Sequence, residues 1–153
     1  MKYAKLLLLA GLIFTFSISV DAQLRSRKTA KSAPPPIAKE IKSTPAFAEI
    51  LLRRSILEAE LGDLLVRYTN EFPKVQEITL ELSMLENAMT RISKVSVSET
   101  EKLSLALGKM LLQEANYATE LELLKKKYNA DHPEVKRTAK KLEIFSNAVD
   151  EIL

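Results

Sequence analysis

The sequence feature that most restricts the fold of this chain is an internal repeat. When the chain is shifted by sixty residues against itself, LGDLLVRYTNEFPKVQEITLELSMLENAM lies over LELLKKKYNADHPEVKRTAKKLEIFSNAV without a gap. Tyr68 and Pro73 in the first copy match Tyr128 and Pro133 in the second. A fixed period of this kind indicates duplication of one supersecondary unit. We therefore expect two copies of a helical unit of about sixty residues.

The apolar residues of each copy recur in alternating steps of three and four residues. In the first copy these positions are Phe47, Ile50, Arg54, Leu57, Leu61, Leu64 and Tyr68, followed by Val75, Ile78, Leu82, Leu85, Met89 and Ile92; Arg54 is the one charged residue among them. Such steps place apolar side chains on one stripe of a helix, as in a coiled-coil seam. The pattern predicts an all-α fold of two tandem antiparallel helical hairpins, residues 46–93 and 99–153. These hairpins are expected to form a four-helix bundle or an extended coiled coil.

Each hairpin is predicted to turn at a proline. The fixed φ of proline suits the first turn of a helix, and its ring disfavours a helical conformation in the preceding residue. One helix therefore ends before the proline and the next helix begins at it. The predicted structural corners comprise Tyr68, Pro73, Val75, Tyr128, His132, Pro133 and Val135.

The composition argues against a reactive site. His132 is the only histidine, and the first copy has Phe72 in its place, which can act neither as a metal ligand nor as a general base. There is no cysteine, and the three glycines form no phosphate-binding loop. We therefore interpret His132 as structural and predict a protein that is not an enzyme, with no catalytic residues, metal or cofactor.

The first residues are typical of a secretory signal peptide. Lys2 and Lys5 precede an apolar run at residues 6–20, and Val20-Asp21-Ala22 forms a small-x-small cleavage site. The run is shorter than the ~20 residues of a comfortable membrane span. We predict cleavage near Ala22 and a periplasmic or secreted protein, with retention of residues 1–22 as an anchor as the alternative.

Residues 23–45 are predicted to form a disordered basic linker. Three consecutive prolines at 34–36 favour extended backbone, and Glu40 is the only acidic residue. Arg25, Arg27, Lys28 and Lys31 are expected to contact an anionic envelope surface weakly, unless the linker serves only as a solubilising leader. Because the linker has no aromatic residue to stack on bases, we expect no nucleic-acid partner.

The start of each hairpin has a helix-start pattern. Thr44 and Pro45 are expected to begin the first hairpin, and Ser98 with Glu101 forms a capping box for the second. Residues 93–98 are rich in serine and are predicted to be a loop that breaks the helix. A continuous helix with a stutter is the alternative.

Several apolar residues fall outside the seams and are predicted to form an interaction surface. Burial of each is worth ~2 kcal/mol, which indicates packing between hairpins, self-association or a partner groove. These residues are Leu52, Ile56, Val66, Leu80, Met84, Leu105, Leu112 and Leu123. Arg54 and Glu114 occupy equivalent seam positions, where they either meet as a polar layer between the hairpins or extend to solvent.

The second corner carries a family resemblance. Tyr128-x-x-x-His132-Pro133-x-Val135, followed by leucines at heptad spacing, resembles the helical periplasmic region of polysaccharide co-polymerases, the chain-length regulators of exopolysaccharide and O-antigen export. That family often carries Tyr, a gap and His-Pro-x-Val between coiled-coil helices. The first copy departs from the motif at Phe72. The resemblance covers the helical part alone and implies a coiled-coil module linked to exopolysaccharide export.

Two functions follow from these features. The first is a non-enzymatic helical interaction protein, a scaffold or adaptor of the bacterial cell envelope that binds a protein partner or itself. The second is a holdase chaperone, because the size, net positive charge and predicted compartment are similar to those of Skp-type periplasmic chaperones. Those chaperones have a β-stranded core, for which KVSVS at residues 94–98 is the candidate strand.

Overall fold

The computed structural model describes residues 37–153, and every regular element in this part of the chain is helical. The elements are α1 (Lys39–Lys42), α2 (Pro45–Leu65), α3 (Pro73–Ser93), a 3-10 helix (Val97–Lys102), α4 (Leu105–Lys125) and α5 (Pro133–Ile152). The prediction of an all-α fold is confirmed for these residues. The predicted signal peptide and the linker residues Arg25, Arg27, Lys28 and Lys31 lie outside the described residues.

Helices α3 and α5 both begin at a proline. Pro73 and Pro133 occupy first-turn positions, where the missing N–H of proline would have no partner within the helix. Helices α2 and α4 have already ended at Leu65 and Lys125. Residues 66–72 and 126–132 therefore reverse or redirect the chain at equivalent places in the two copies.

The core lies between the four long helices. Helix α4 packs against α2, α3 and α5, whereas α2 packs mainly against α3 and α4. The fully buried side chains include the seam residues Ile50, Leu57, Ile78, Leu85 and Ile92, together with Leu107 and Leu111 of α4. Because burial of each such side chain stabilises the fold by about 1.5–3 kcal/mol, these positions dominate the stability of the protein.

Helices α2 and α4 approach closely at Gly108. A Cβ atom at this glycine would lie 2.9 Å from the Cα atom of Ala46 and 3.1 Å from the Cβ atom of Glu49. The backbone N–H of Ala46 also donates a hydrogen bond of 3.1 Å to the carbonyl oxygen of Leu103. Gly108 thus permits a contact between two helix backbones that no larger residue allows without a shift.

The second copy starts later than its capping box predicts. Ser98 and Glu101 lie in the 3-10 helix, and Ser104 caps α4 by accepting a hydrogen bond from the backbone N–H of Leu107. The prediction that Ser98 caps this helix, with residue 99 as its start, is therefore wrong. Leu103 is fully buried, so insertion of its side chain into the core redirects the chain just before α4.

The connection between the copies is an irregular break. Helix α3 ends at Ser93, and no continuous helix leads to α4, so the alternative of a stutter is wrong. KVSVS forms no strand either, because residues 94–96 lie outside regular structure and Val97 and Ser98 belong to the 3-10 helix.

The predicted linker, residues 23–45, also extends too far towards α2. Residues 39–42 form α1, and the side chain of Ile41 is buried in the core. The hydroxyl of Thr44 donates to the carbonyl oxygen of Ile41 and accepts from the backbone N–H of Phe47, which joins α1 to the start of α2. Residues 39–45 are therefore ordered, because burial of Ile41 outweighs the basic character of the segment.

Candidate interaction surface

The outward side of α2 and its C-cap is an extended surface with little charge. We call it the α2 face; it carries Ala48, Leu52, Ser55, Ile56, Ala59, Gly62, Asp63 and Val66. At 3.6 residues per turn these positions lie on the side of the helix opposite Ile50, Leu57 and Leu61. Val66, Leu52 and Ile56 are 83%, 59% and 50% exposed. The α2 face therefore presents large apolar side chains to solvent, with one charged residue.

The outward sides of α3 and α5 have a different character. Exposed positions of α3 include Gln76, Ser83, Glu86, Asn87 and Thr90, and those of α5 include Lys136, Lys140, Glu143, Asn147 and Asp150. Helix α4 is apolar on several sides, as expected of a helix that packs against three others. Helix α2 is also apolar on several sides, but its outward side is uncovered.

The structure divides the eight predicted surface residues into two groups. The exposed group is Leu52, Ile56, Val66 and Leu105, and the partly buried group is Leu80, Met84, Leu112 and Leu123. Met84 and Leu112 pack against the main core. Contacts between helices thus cover half of the set, while three of the four exposed residues belong to the α2 face.

Two further exposed leucines flank the α2 face. Leu51 and Leu65 were not among the predicted surface residues, although both are more than 40% exposed. Each lies next to a seam residue, Ile50 or Leu64, and a neighbouring position points about 100° away around the helix. The sequence pattern that identifies Leu51 and Leu65 is the run of consecutive apolar residues around each of them, since a single helix face cannot bury such a run completely.

The edges of the α2 face carry charges. Glu49 and Arg67 are eighteen residues apart, which is five helical turns, so they lie on the same edge at opposite ends. Neither forms an ion pair with another residue in the range 37–153. On the opposite edge, Glu58 accepts a hydrogen bond of 2.7 Å from Nε of Arg54 and is therefore already neutralised.

Arg54 and Glu114 do not form the predicted polar layer. Arg54 pairs with Glu58 and, at 3.6 Å, with Glu86, whereas Glu114 accepts a hydrogen bond of 2.7 Å from Arg91. Arg54 also remains partly exposed, which agrees with the alternative of extension to solvent for this residue. The two do not meet because α3 supplies a nearer partner to each of them.

The corners contain stacked aromatic rings. Tyr68 stacks on Phe72 with ring centroids 4.1 Å apart, and Tyr128 stacks on His132 at 4.0 Å. Nδ1 of His132 accepts a hydrogen bond of 3.3 Å from the backbone N–H of Glu134 and so caps α5. His132 therefore adds a cap to the ring stacking that both corners share.

Many ionisable groups of the described helices are engaged in structural pairs. Glu81 is 6% exposed, and its carboxylate accepts hydrogen bonds from the guanidinium of Arg53 at 2.7 Å. A hydrogen bond to Glu77 raises the pKa of Lys74 above its usual value. Within residues 37–153, no buried polar side-chain atom is unsatisfied and no three acidic, histidine or cysteine side chains cluster to hold a metal ion.

A small groove lies between α3, α4 and α5. Its volume is 260 Å³, and it is lined by Met84, Ala88, Leu111, Ala115 and Leu142, with the Arg91 and Glu114 ion pair among its walls. Its two charged groups are already paired with each other, and its remaining polar lining is the neutral side chains of Asn87 and Ser146. The α2 face remains the larger uncovered surface.

Comparisons of the chain with protein-family models, with curated proteins and with solved structures give no match. In residues 37–153, no helix combines the length and apolar content that crossing a membrane requires. The interpretation of the α2 face therefore rests on its own geometry and chemistry.

Proposed function

We propose that this protein is a non-enzymatic interaction protein, a scaffold or adaptor of the bacterial cell envelope. The observation that carries the proposal is the α2 face, where Leu52, Ile56 and Val66 are at least half exposed. A contiguous exposed apolar surface on a small helical protein is typical of a protein-protein contact. We take binding through this face, to a partner or to a second copy, as the activity of the protein.

The proposed architecture is two tandem antiparallel hairpins in a four-helix bundle. Three observations support it: the four long helices have nearly equal lengths, the two corners are equivalent, and α2 packs against α3 as α4 packs against α5. Contacts of α4 with both α2 and α3 would join the hairpins into one body. A rigid body of this kind presents the α2 face without rearrangement.

The envelope location and a link to exopolysaccharide export belong to the same proposal. They are supported by the signal-peptide pattern of residues 1–22 and by the Tyr128 to Val135 motif. In this proposal Arg25, Arg27, Lys28 and Lys31 hold the protein near an anionic surface of the envelope, an attraction of about 1 kcal/mol per basic residue that salt would weaken.

The test combines fractionation with cross-linking in cells. A photo-reactive amino acid replaces Ile56 on the α2 face or, as a matched control, the exposed Ile144 of α5. We expect the protein in the envelope fraction and a discrete cross-linked product, with itself or with one partner, from position 56 alone. Cytosolic protein, or equal labelling at both positions, would contradict the proposal.

A sedimentation experiment distinguishes the scaffold from the holdase. The purified protein is mixed with a denatured outer-membrane protein, and the aggregation of that client is followed. We expect the client to aggregate at its normal rate. If the protein suppresses aggregation of the client, and its Ile56→Glu variant does so equally well, the protein is instead a chaperone whose client site lies outside the α2 face.

A further inference from the structure

Helix α2 is apolar on more sides than its neighbours in the fold explain. Helices α2 and α4 are both rich in apolar residues around their circumference, yet α4 packs against three long helices and α2 mainly against two. A helix that is apolar all round is normally buried all round. We infer that the α2 face binds a second copy of this chain, with the two α2 helices antiparallel and a twofold axis near Ala59.

This inference rests on the proposed function and names the partner of the same surface. The main support is the order of exposed residues along α2. Leu51 and Leu65 are equidistant from Glu58, and Leu52 and Val66 are equidistant from Ala59. In a twofold interface, if residue i of one copy contacts residue j of the other copy, then residue j of the first copy also contacts residue i of the second. In an antiparallel pair with its axis near Ala59, residues equidistant from the axis lie at the same height, so a near-palindromic face places large apolar residues opposite large apolar residues along its length.

Charge complementarity selects the same geometry. Glu49 and Arg67 are also equidistant from Glu58 and lie on one edge of α2. In an antiparallel pair, each edge faces the same edge of the other helix, so Glu49 of one copy faces Arg67 of the other, twice per dimer. A parallel pair would place each residue against a like charge or against none.

The residues near the axis allow the helices to approach. Ala59 and Ser55 are small, and Gly62 has no atom within 4 Å of the position of a Cβ. The like charges of Glu58 near the axis are offset within each chain, because each Glu58 is paired with Arg54.

The area is sufficient for a weak specific dimer. The α2 face spans residues 48–66, about 27 Å at 1.5 Å per residue, and the exposed half of a helix of this length and about 12 Å in diameter offers roughly 500 Å² per copy. Two copies would bury about 1,000 Å², the lower bound of specific protein interfaces. We therefore expect a dissociation constant in the micromolar range.

Single cysteines test both dimerisation and orientation. The described chain has no cysteine, so an introduced one is unambiguous. Ala59→Cys near the axis should form a disulfide-linked dimer under mild oxidation. Leu52→Cys should not form one with itself, because its two copies would lie about 21 Å apart, but it should cross-link when mixed with Val66→Cys. Cross-linking of Leu52→Cys with itself would show parallel helices and overturn the inference.

Charge reversal supplies an independent test by sedimentation equilibrium of the full chain. Glu49→Arg or Arg67→Glu should weaken the dimer about tenfold, and the two changes in one chain should restore it. Ile56→Glu should weaken it about a hundredfold or more, whereas Ile144→Glu on α5 should leave it unchanged. Circular dichroism of each variant checks that its helices are intact. A wild-type monomer at a concentration of 1 mM, or a dimer indifferent to all these changes, would overturn the inference.

The two proposals fail separately. A monomer in solution that forms a discrete adduct with another envelope protein from position 56 keeps the proposed function and overturns the antiparallel dimer. A dimer with the expected cysteine pattern that lies in the cytosol keeps the dimer and overturns the envelope role.

Discussion

The substitution Gly108→Ala tests the closest contact in the fold. Its Cβ atom would lie 2.9 Å from the Cα atom and 3.3 Å from the carbonyl oxygen of Ala46. Both are backbone atoms, so no rotation of a side chain relieves the clash, and α2 must move away from α4. Overpacking of this kind costs about 2–3 kcal/mol, while the better helix propensity of alanine offsets about 1 kcal/mol. We expect a net loss of about 1–2 kcal/mol in the free energy of unfolding.

Gly62→Ala is the matched control, because it makes the same change in a helix of the same length. No atom lies within 4 Å of its Cβ position, so only the propensity gain remains and the free energy of unfolding should rise by about 0.5–1 kcal/mol. Urea unfolding followed by circular dichroism, at dilute protein to keep the chain monomeric, measures both variants. If Gly108→Ala stabilised the protein as Gly62→Ala does, the close approach of α2 and α4 would be refuted.

Three further substitutions, with Arg54→Ala as a control for one of them, test the core, the buried ion pair and the second corner by the same measurement. Leu111→Ala, at a fully buried position of α4, should cost about 2–5 kcal/mol, and a loss below about 1 kcal/mol would place it outside the core. Arg53→Ala leaves the buried carboxylate of Glu81 without its partner and should cost about 1–3 kcal/mol, whereas Arg54→Ala, at an exposed pair, should cost under about 1 kcal/mol. Equal losses for the two arginines would contradict the burial of that carboxylate. Pro133→Ala should change stability by under about 1 kcal/mol, because alanine also fits the first turn of a helix; a loss above about 2 kcal/mol would show that the proline has a further role.

Much of the helical organisation was predictable from local patterns. The three- and four-residue steps that include Ile50, Leu57, Ile78 and Leu85 indicate helices whose buried sides carry these residues, and all four are buried. The start of α4 was not predictable in the same way, because the capping box at Ser98 and Glu101 describes only local hydrogen bonding. Burial of Leu103, a contact between distant parts of the chain, moved the start to Leu105.

The candidate surface was only partly predictable. The sequence identifies Leu52, Leu80, Met84 and Leu112 alike as apolar residues outside the seams, since periodicity reports which side of a helix a residue lies on. It does not report which neighbour covers that side. Packing of the helices buries Met84 and Leu112 in part and leaves Leu52 exposed, which is why the α2 face emerges only in three dimensions.

By itself, the sequence determined the all-helical character of residues 37–153, since the spacing of apolar residues and the stereochemistry of proline act over a few residues along the chain. Only the tertiary structure decided the ion-pair partners of Arg54 and Glu114, the formation of α1 as an ordered helix and the exposure of the α2 face. These features depend on contacts between segments far apart in sequence. Each side chain contacts the nearest partner that folding brings to it, and local sequence patterns do not reveal which partner that is.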